Sequence, residues 1–234
     1  MGYILALALL CVAYGVCIGC MKYMRNTKLF NLLFMALVYL QYLALAWVIY
    51  QDVGFWDWNF QNTLPMANVS PFMFSLMPLL LILPEKLRQQ LHLLISMLSV
   101  GMLLSSVLGC ISNAMTHYKF HAHFLLDFGA HFALSAFGVY LVKSGQVKIN
   151  WKNCLRSGAW IYGAAVCMLV LNVIFDKSFF GLSLNGKHNI YNKMLVESSY
   201  LSALIYFVGL GLVMLLGAGY CKMMARKSTS ARSG

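Results

Sequence analysis

Seven apolar stretches constrain the fold of this chain more than any other feature of the sequence. Their approximate bounds are 3–21, 29–50, 71–84, 91–112, 121–142, 158–175 and 198–221. Most are long enough to cross the ~30 Å hydrocarbon core of a bilayer as a helix. Hydrophobic residues make up 61% of the chain and charged residues only 10%, so no water-soluble domain is expected. The sequence predicts an all-α membrane protein, with one seven-transmembrane-helix bundle over 1–222 and a basic disordered tail over 223–234.

The distribution of basic residues predicts how this bundle is oriented. Segments 22–28, 85–90, 143–157 and 222–234 share one side and hold 3, 2, 4 and 4 of the 17 lysines and arginines. By the positive-inside rule the C-terminus is cytoplasmic and the N-terminus is outside, with the first stretch retained as a helix. We expect a multi-pass protein of a cell membrane, the plasma membrane of a bacterium.

The net charge of +11 has a topological explanation in this arrangement. The excess of basic residues faces the anionic lipids of the inner leaflet. Membrane lipids are therefore the predicted partners and nucleic acid is not one. The sequence leaves the oligomeric state open.

The stretch 121–142 carries ionisable side chains that hydrocarbon disfavours. His123, Asp127 and His131 follow at intervals of four on one helical face, and Asp127 is the only acid inside an apolar stretch. A charge there costs about 2.5–3.5 kcal/mol on insertion scales, so such a residue normally turns inward and pairs. Two interpretations stay open: Asp127 locks helix packing by binding a histidine, or it belongs to a functional site.

The short stretch 71–84 supplies the second half of a predicted site. Its 14 residues span ~21 Å, so it begins within the membrane if it ends at the inner surface. Counted from that surface, Ser70 and His131 lie at similar depths of ~21 and ~18 Å. Histidine is the usual base for a hydroxyl nucleophile, and Asp127 could orient it, so these three residues are the predicted catalytic group. Helix capping by Ser70 before Pro71 is the simpler explanation of that serine.

Other polar side chains are predicted to line the same cavity, open toward the outer leaflet, and to bind substrate. They are Asn68, His123, Ser199, Ser202 and Tyr206. The last three fall in the outer half of the stretch 198–221, where interhelical hydrogen bonds explain them equally well. No cofactor and no metal are expected in this scheme.

Two alternatives remain open. His121, His123, Asp127 and His131 offer the nitrogen and oxygen donors of a metal hydrolase. However, His123 and His131 are ~12 Å apart along the helix and cannot share one ion without ligands from other helices. The third possibility is a transporter or non-catalytic membrane subunit that uses Asp127 and His131 as a proton or ligand site.

Two segments resemble a known family. Residues 130–145, AHFALSAFGVYLVKSG, resemble the histidine-bearing helix of the YwaF-type integral membrane family, which includes transmembrane ether-lipid acyltransferases. The androgen-induced membrane hydrolases are a more distant resemblance. Residues Leu64–Pro71 resemble the segment that carries the nucleophilic cysteine; one alignment places Ser70 at that position and another Ala67. The resemblance implies lipid acyl-ester hydrolysis or transfer, with His131 in the position of the family's histidine.

Overall fold

The computed structural model describes residues 27–56, 64, 69–115, 122–175, 179–182 and 199–230 of the 234-residue chain. All regular structure in these ranges is helical, and they contain no strand. The elements are α1 (Thr27–Val53), α2 (Val69–Leu76), α3 (Leu79–Ile82), α4 (Glu85–Met115), α5 (Ala122–Lys143), α6 (Trp151–Phe175), a 3₁₀ turn (Phe179–Gly181) and α7 (Ser199–Ser230).

Four of these helices are long and apolar enough to cross a membrane. The segments concerned are Lys28–Asp52, Glu85–Leu104, Trp151–Phe175 and Ala203–Ala225. The prediction of an all-α membrane protein is confirmed at this level. The predicted stretch 3–21 lies outside the described residues.

The helix α4 begins earlier than the sequence predicts. Residues 85–90, which lie between two of the predicted apolar stretches, form its first turns. The carboxylate of Glu85 accepts hydrogen bonds from the side chains of Arg88 and Gln89, three and four residues on. A negative charge in the first turn also complements the helix dipole, so these residues favour helix over turn.

The helices α6 and α7 also extend beyond the predicted stretches. α6 begins at Trp151 instead of 158, because Oδ1 of Asn150 accepts a hydrogen bond of 2.8 Å from the amide of Asn153 and caps the helix. α7 continues to Ser230, past the predicted end at 221 and into the segment expected to form a tail. Lysine, methionine, alanine and arginine are good helix formers, and they carry the helix on after the apolar pattern ends.

The predicted helix 71–84 is interrupted at Pro78 and forms the two short helices α2 and α3. Proline has no amide hydrogen, so the carbonyl of Phe74 instead accepts a hydrogen bond of 3.1 Å from the amide of Met77. Pro78 itself keeps helical angles (φ −61°, ψ −32°), and the chain continues directly into α3. Val69–Ile82 is therefore one apolar segment whose α-helical hydrogen bonding is interrupted in its middle.

The helix α5 lies at the centre of the described bundle, in contact with α1, α4 and α7. All nine residues from Leu134 to Val142 are buried. The hydroxyl of Ser135 donates a hydrogen bond of 2.8 Å to the carbonyl of Ser99 on α4. Beside this bond the backbones of α4 and α5 approach so closely that a Cβ on Gly138 would lie 2.7 Å from the Cβ of Ser99. Small residues allow this approach, which is the usual way helices associate in lipid.

One end of the bundle collects the segments that the sequence predicts to be cytoplasmic. Gln90 of α4 accepts hydrogen bonds from Ser157 and Trp160 of α6, at 3.0 and 2.9 Å. At the same end, the amides of Asn31 on α1 and Gln146 after α5 bond to each other. We call this the basic end of the bundle.

Candidate functional site

His131 and Asp127 form a pair one helical turn apart on α5. Nδ1 of His131 lies 3.3 Å from Oδ1 of Asp127 and 2.8 Å from the backbone carbonyl oxygen of the same residue. Because a carbonyl oxygen can only accept, Nδ1 is the nitrogen that carries hydrogen, and Nε2 of the neutral ring is an acceptor. The imidazole is 14% exposed and the carboxylate 49% within the described part of the chain. The expected contact between Asp127 and a histidine of its own helix is present.

The helix α2 reaches this pair through Phe74. The ring of Phe74 meets the imidazole of His131 edge-on, with centroids 5.5 Å apart and planes at 86°. Tyr42 of α1 packs against the same phenyl ring at 5.4 Å. Ser70 precedes Phe74 by four residues and shares its helix face, ~6 Å further along the axis. The segment that carries Ser70 therefore packs beside His131.

Ser70 itself bonds to a different helix. It lies inside the first turn of α2, which begins at Val69, so the prediction that it precedes the helix as its cap is wrong. Its hydroxyl donates a hydrogen bond of 3.4 Å to the thioether sulfur of Met102 on α4. Among the described residues no hydrogen bond joins it to His131. A thioether is a weak acceptor, so this contact holds the hydroxyl only loosely.

The other predicted substrate-binding residues are described to different extents. Asn68 lies outside the described residues. His123 is in α5, and Ser199 and Ser202 are in α7, but their side chains are not among those described. Tyr206, also in α7, is partly buried, and its ring meets that of Phe207 edge-on at 5.9 Å. Their predicted roles remain untested.

Gln41 is a partly buried polar residue that the sequence analysis did not single out. It lies in the middle of α1, where its amide nitrogen would be 3.6 Å from a Cβ on Gly129 of α5. Its Oε1 is buried and has no hydrogen-bond partner among the described residues. Gly129 lies between Asp127 and His131 in sequence but about 160–200° around the helix from each, so Gln41 approaches a different face of α5. An amide inside an apolar stretch is the signal that could have identified it.

Asn172 of α6 holds a 3₁₀ turn that in turn contacts α2. Its Nδ2 donates to the carbonyls of Phe179 and Leu182, and its Oδ1 accepts from the amide of Phe179 at 2.6 Å. These bonds hold the 3₁₀ turn in which Phe180 adopts a positive φ of 58°. The ring of Phe180 then packs edge-on against Phe72 of α2 at 5.4 Å. The buried amide of Asn172 thereby helps to place the helix that carries Ser70.

The described residues contain no group of three histidine, cysteine, aspartate or glutamate side chains that could hold a metal ion. No protein-family model, no curated protein and no solved structure matches this chain. The YwaF-type resemblance therefore stays a prediction that depends on the segments 130–145 and Leu64–Pro71.

Proposed function

We propose that this protein hydrolyses or transfers the acyl group of a membrane lipid, with His131 as general base and Asp127 as the residue that orients it. In this proposal the bundle has seven transmembrane helices, its N-terminus is outside, and its membrane is the plasma membrane of a bacterium. The substrate is an acyl ester that enters from the outer leaflet.

The observation that carries the proposal is the hydrogen bonding of His131. Its Nδ1–H is held by the Asp127 carbonyl at 2.8 Å, with the carboxylate at 3.3 Å. This fixes the tautomer, leaves Nε2 able to take a proton, and puts a negative charge beside the imidazolium that would form. The same division of the two ring nitrogens operates in serine hydrolases.

Ser70 is the candidate nucleophile. Rotation about its Cα–Cβ bond would free the hydroxyl from the weak bond to Met102. Its Oγ would attack the ester carbonyl carbon while Nε2 of His131 takes the proton. The lipid alcohol would leave with that proton, and an acyl-serine would remain. Attack by water then completes hydrolysis, and attack by a second lipid alcohol completes transfer.

The test is covalent labelling of the purified full-length chain with a lipid-tailed fluorophosphonate, followed by mapping of the labelled residue. We expect the label on Ser70, and we expect it to disappear in His131→Ala and Ser70→Ala. Ser75→Ala is the matched control, because Ser75 lies on the same helix and, among the described residues, its hydroxyl bonds only to the backbone of Pro71 and Phe72. That variant should label as the wild type does.

Label on a residue other than Ser70 would remove Ser70 from the mechanism. A folded protein without any label and without esterase activity would contradict the enzyme proposal. The Asp127–His131 pair would then fit a proton or ligand site of a transporter or a non-catalytic subunit. Retention of helicity in each variant, measured by circular dichroism, separates loss of chemistry from loss of fold.

A further inference from the structure

A cavity lies at the basic end of the bundle, far from the Asp127–His131 pair. It has a volume of about 580 Å³ and opens between the start of α1, α3, the start of α4 and the loop after α5. Lys143, which ends α5 at this level, comes 12 residues after His131, or ~18 Å along the helix. The two sites are therefore separate, and a ligand of this cavity is independent of the proposed function.

The charges around this cavity are predominantly positive. Lys28, Arg88 and Lys148 line it, and Glu85 is the one acid among its lining residues. Glu85 already pairs with Arg88 in its own helix turn. No described carboxylate lies within ion-pair distance of Lys28 or Lys148, and both side chains are exposed. The cavity therefore holds two cations that are available to an anion.

The loop after α5 is built so that it places a polar group in the cavity. Gly145 adopts a φ of 74°, and the amides of Gly145 and Gln146 bond to the carbonyls of Val142 and Leu141 at 3.1 Å each. This is a Schellman motif, which stops the helix and turns the chain sharply. Its geometry brings Gln146 against Asn31 of α1. Two mutually bonded amides thereby form a polar part of the cavity wall, which also includes the two lysines.

The remaining wall is apolar and faces outward. Leu32 of α1 and Leu81 of α3 line the cavity and are about half exposed on the outer surface of the bundle. Met35 and Leu80, which are buried, continue this wall inward. In a membrane, exposed leucines at this position contact acyl chains. A ligand with a charged head and an apolar chain would match both walls at once.

We propose that this cavity binds the phosphate head group of an anionic phospholipid. Lys28 and Lys148 contact the phosphate, Nδ2 of Asn31 donates its second hydrogen to the polar head, and an acyl chain lies along Leu32 and Leu81. Nε2 of Gln146 already donates to Oδ1 of Asn31 and to Oγ of Ser144, so Gln146 holds the Asn31 amide in position. Its volume is in the usual range for small-ligand sites, 300–1,000 Å³. Its position at the basic end matches the leaflet in which anionic lipids attract basic side chains.

The experiment measures lipid binding to the purified full-length protein by native mass spectrometry. Phosphatidylglycerol is titrated against wild type, a Lys28→Gln/Lys148→Gln variant and a Lys152→Gln/Lys222→Gln variant. Lys152 and Lys222 are exposed lysines of α6 and α7 that do not line the cavity, so the control removes the same charge. Each lysine near an anionic surface contributes about fivefold in affinity, so the cavity variant should bind the first lipid roughly 25-fold more weakly.

Three outcomes would overturn the proposal. Equal weakening in both double variants would mean that only net charge matters. Equal binding of phosphatidylcholine and phosphatidylglycerol to the wild type would show that the anionic head is not recognised. Displacement of the lipid by millimolar inorganic phosphate would assign the cavity to free phosphate. A Leu81→Ser variant adds a check that leaves the charges intact, and it should weaken lipid binding without changing any effect of phosphate.

Discussion

The two halves of α5 are built differently, although they belong to one continuous helix. From Leu134 to Val142 every residue is buried, and Ser135 bonds to the backbone of α4. From Leu126 to Ala133 only three residues are buried, and the helix carries a carboxylate and an imidazole. The half from Leu134 to Val142 packs by close backbone approach. The half from Leu126 to Ala133 is more exposed and carries the polar side chains.

This difference separates the half of α5 that contributes most to the fold from the half that carries the proposed site. In lipid, helices associate through close packing and a few hydrogen bonds, so the half with the closest backbone contacts contributes most to the fold. Polar groups that must act on a substrate cannot be enclosed in the same way. The packed half can therefore hold the helix in place while the other half retains its ionisable pair. Variants at the contacts of each half test this division.

The largest effect is expected at Gly217 of α7, which packs against α4 at the level of the buried half. A Cβ at this position would overlap the backbone carbonyl of Met97, and a backbone atom cannot move aside as a side chain can. We expect Gly217→Ala to lower the free energy of unfolding by about 3 kcal/mol, measured by titration with a denaturing detergent. Gly219→Ala, two residues on, is the control, because a Cβ there meets nothing within 4 Å. Equal stability of the two variants would contradict this close packing of α7 on α4.

A smaller effect is expected at Asn172. The change Asn172→Ala leaves the carbonyls of Phe179 and Leu182 without their donor, at a cost of about 2 kcal/mol. Asn153→Ala, on the same helix, removes an exposed bond to Lys148 and should cost much less. If Asn172 also positions α2, its variant should lose fluorophosphonate labelling of Ser70 in addition to stability. Loss of stability with unchanged labelling would limit Asn172 to a structural role.

The smallest effect is expected at Ser135. The variant Ser135→Ala removes one buried hydrogen bond to α4, and such bonds average about 0.6 kcal/mol in membrane proteins. The close approach of Gly138 to Ser99 remains, so the two helices stay packed. The same unfolding titration measures the stability of Ser135→Ala relative to the wild type, and Asp127→Asn is measured in the same experiment. A larger loss of stability in Asp127→Asn than in Ser135→Ala would show that the polar half also supports the fold.

Much of the helical architecture could be predicted from apolar length, since backbone groups in lipid must bond within their own segment. The stretches 29–50 and 121–142 match α1 and α5 to within a few residues. The starts of α4 at Glu85 and of α6 at Trp151 could not be predicted from apolar length, because they depend on side-chain hydrogen bonds outside the apolar stretches. The interruption at Pro78 was not predicted, although proline marks it in the sequence.

The sequence by itself determined the class of this protein and the contact of Asp127 with His131, because a spacing of four residues brings two side chains together on any helix. Only the tertiary structure decided what surrounds them. It placed Phe74 against the imidazole, bonded Ser70 to Met102, and assembled a cavity from four separate segments at the basic end. These contacts join residues far apart in the chain. They depend on which helices pack together and how closely, and local periodicity does not specify either.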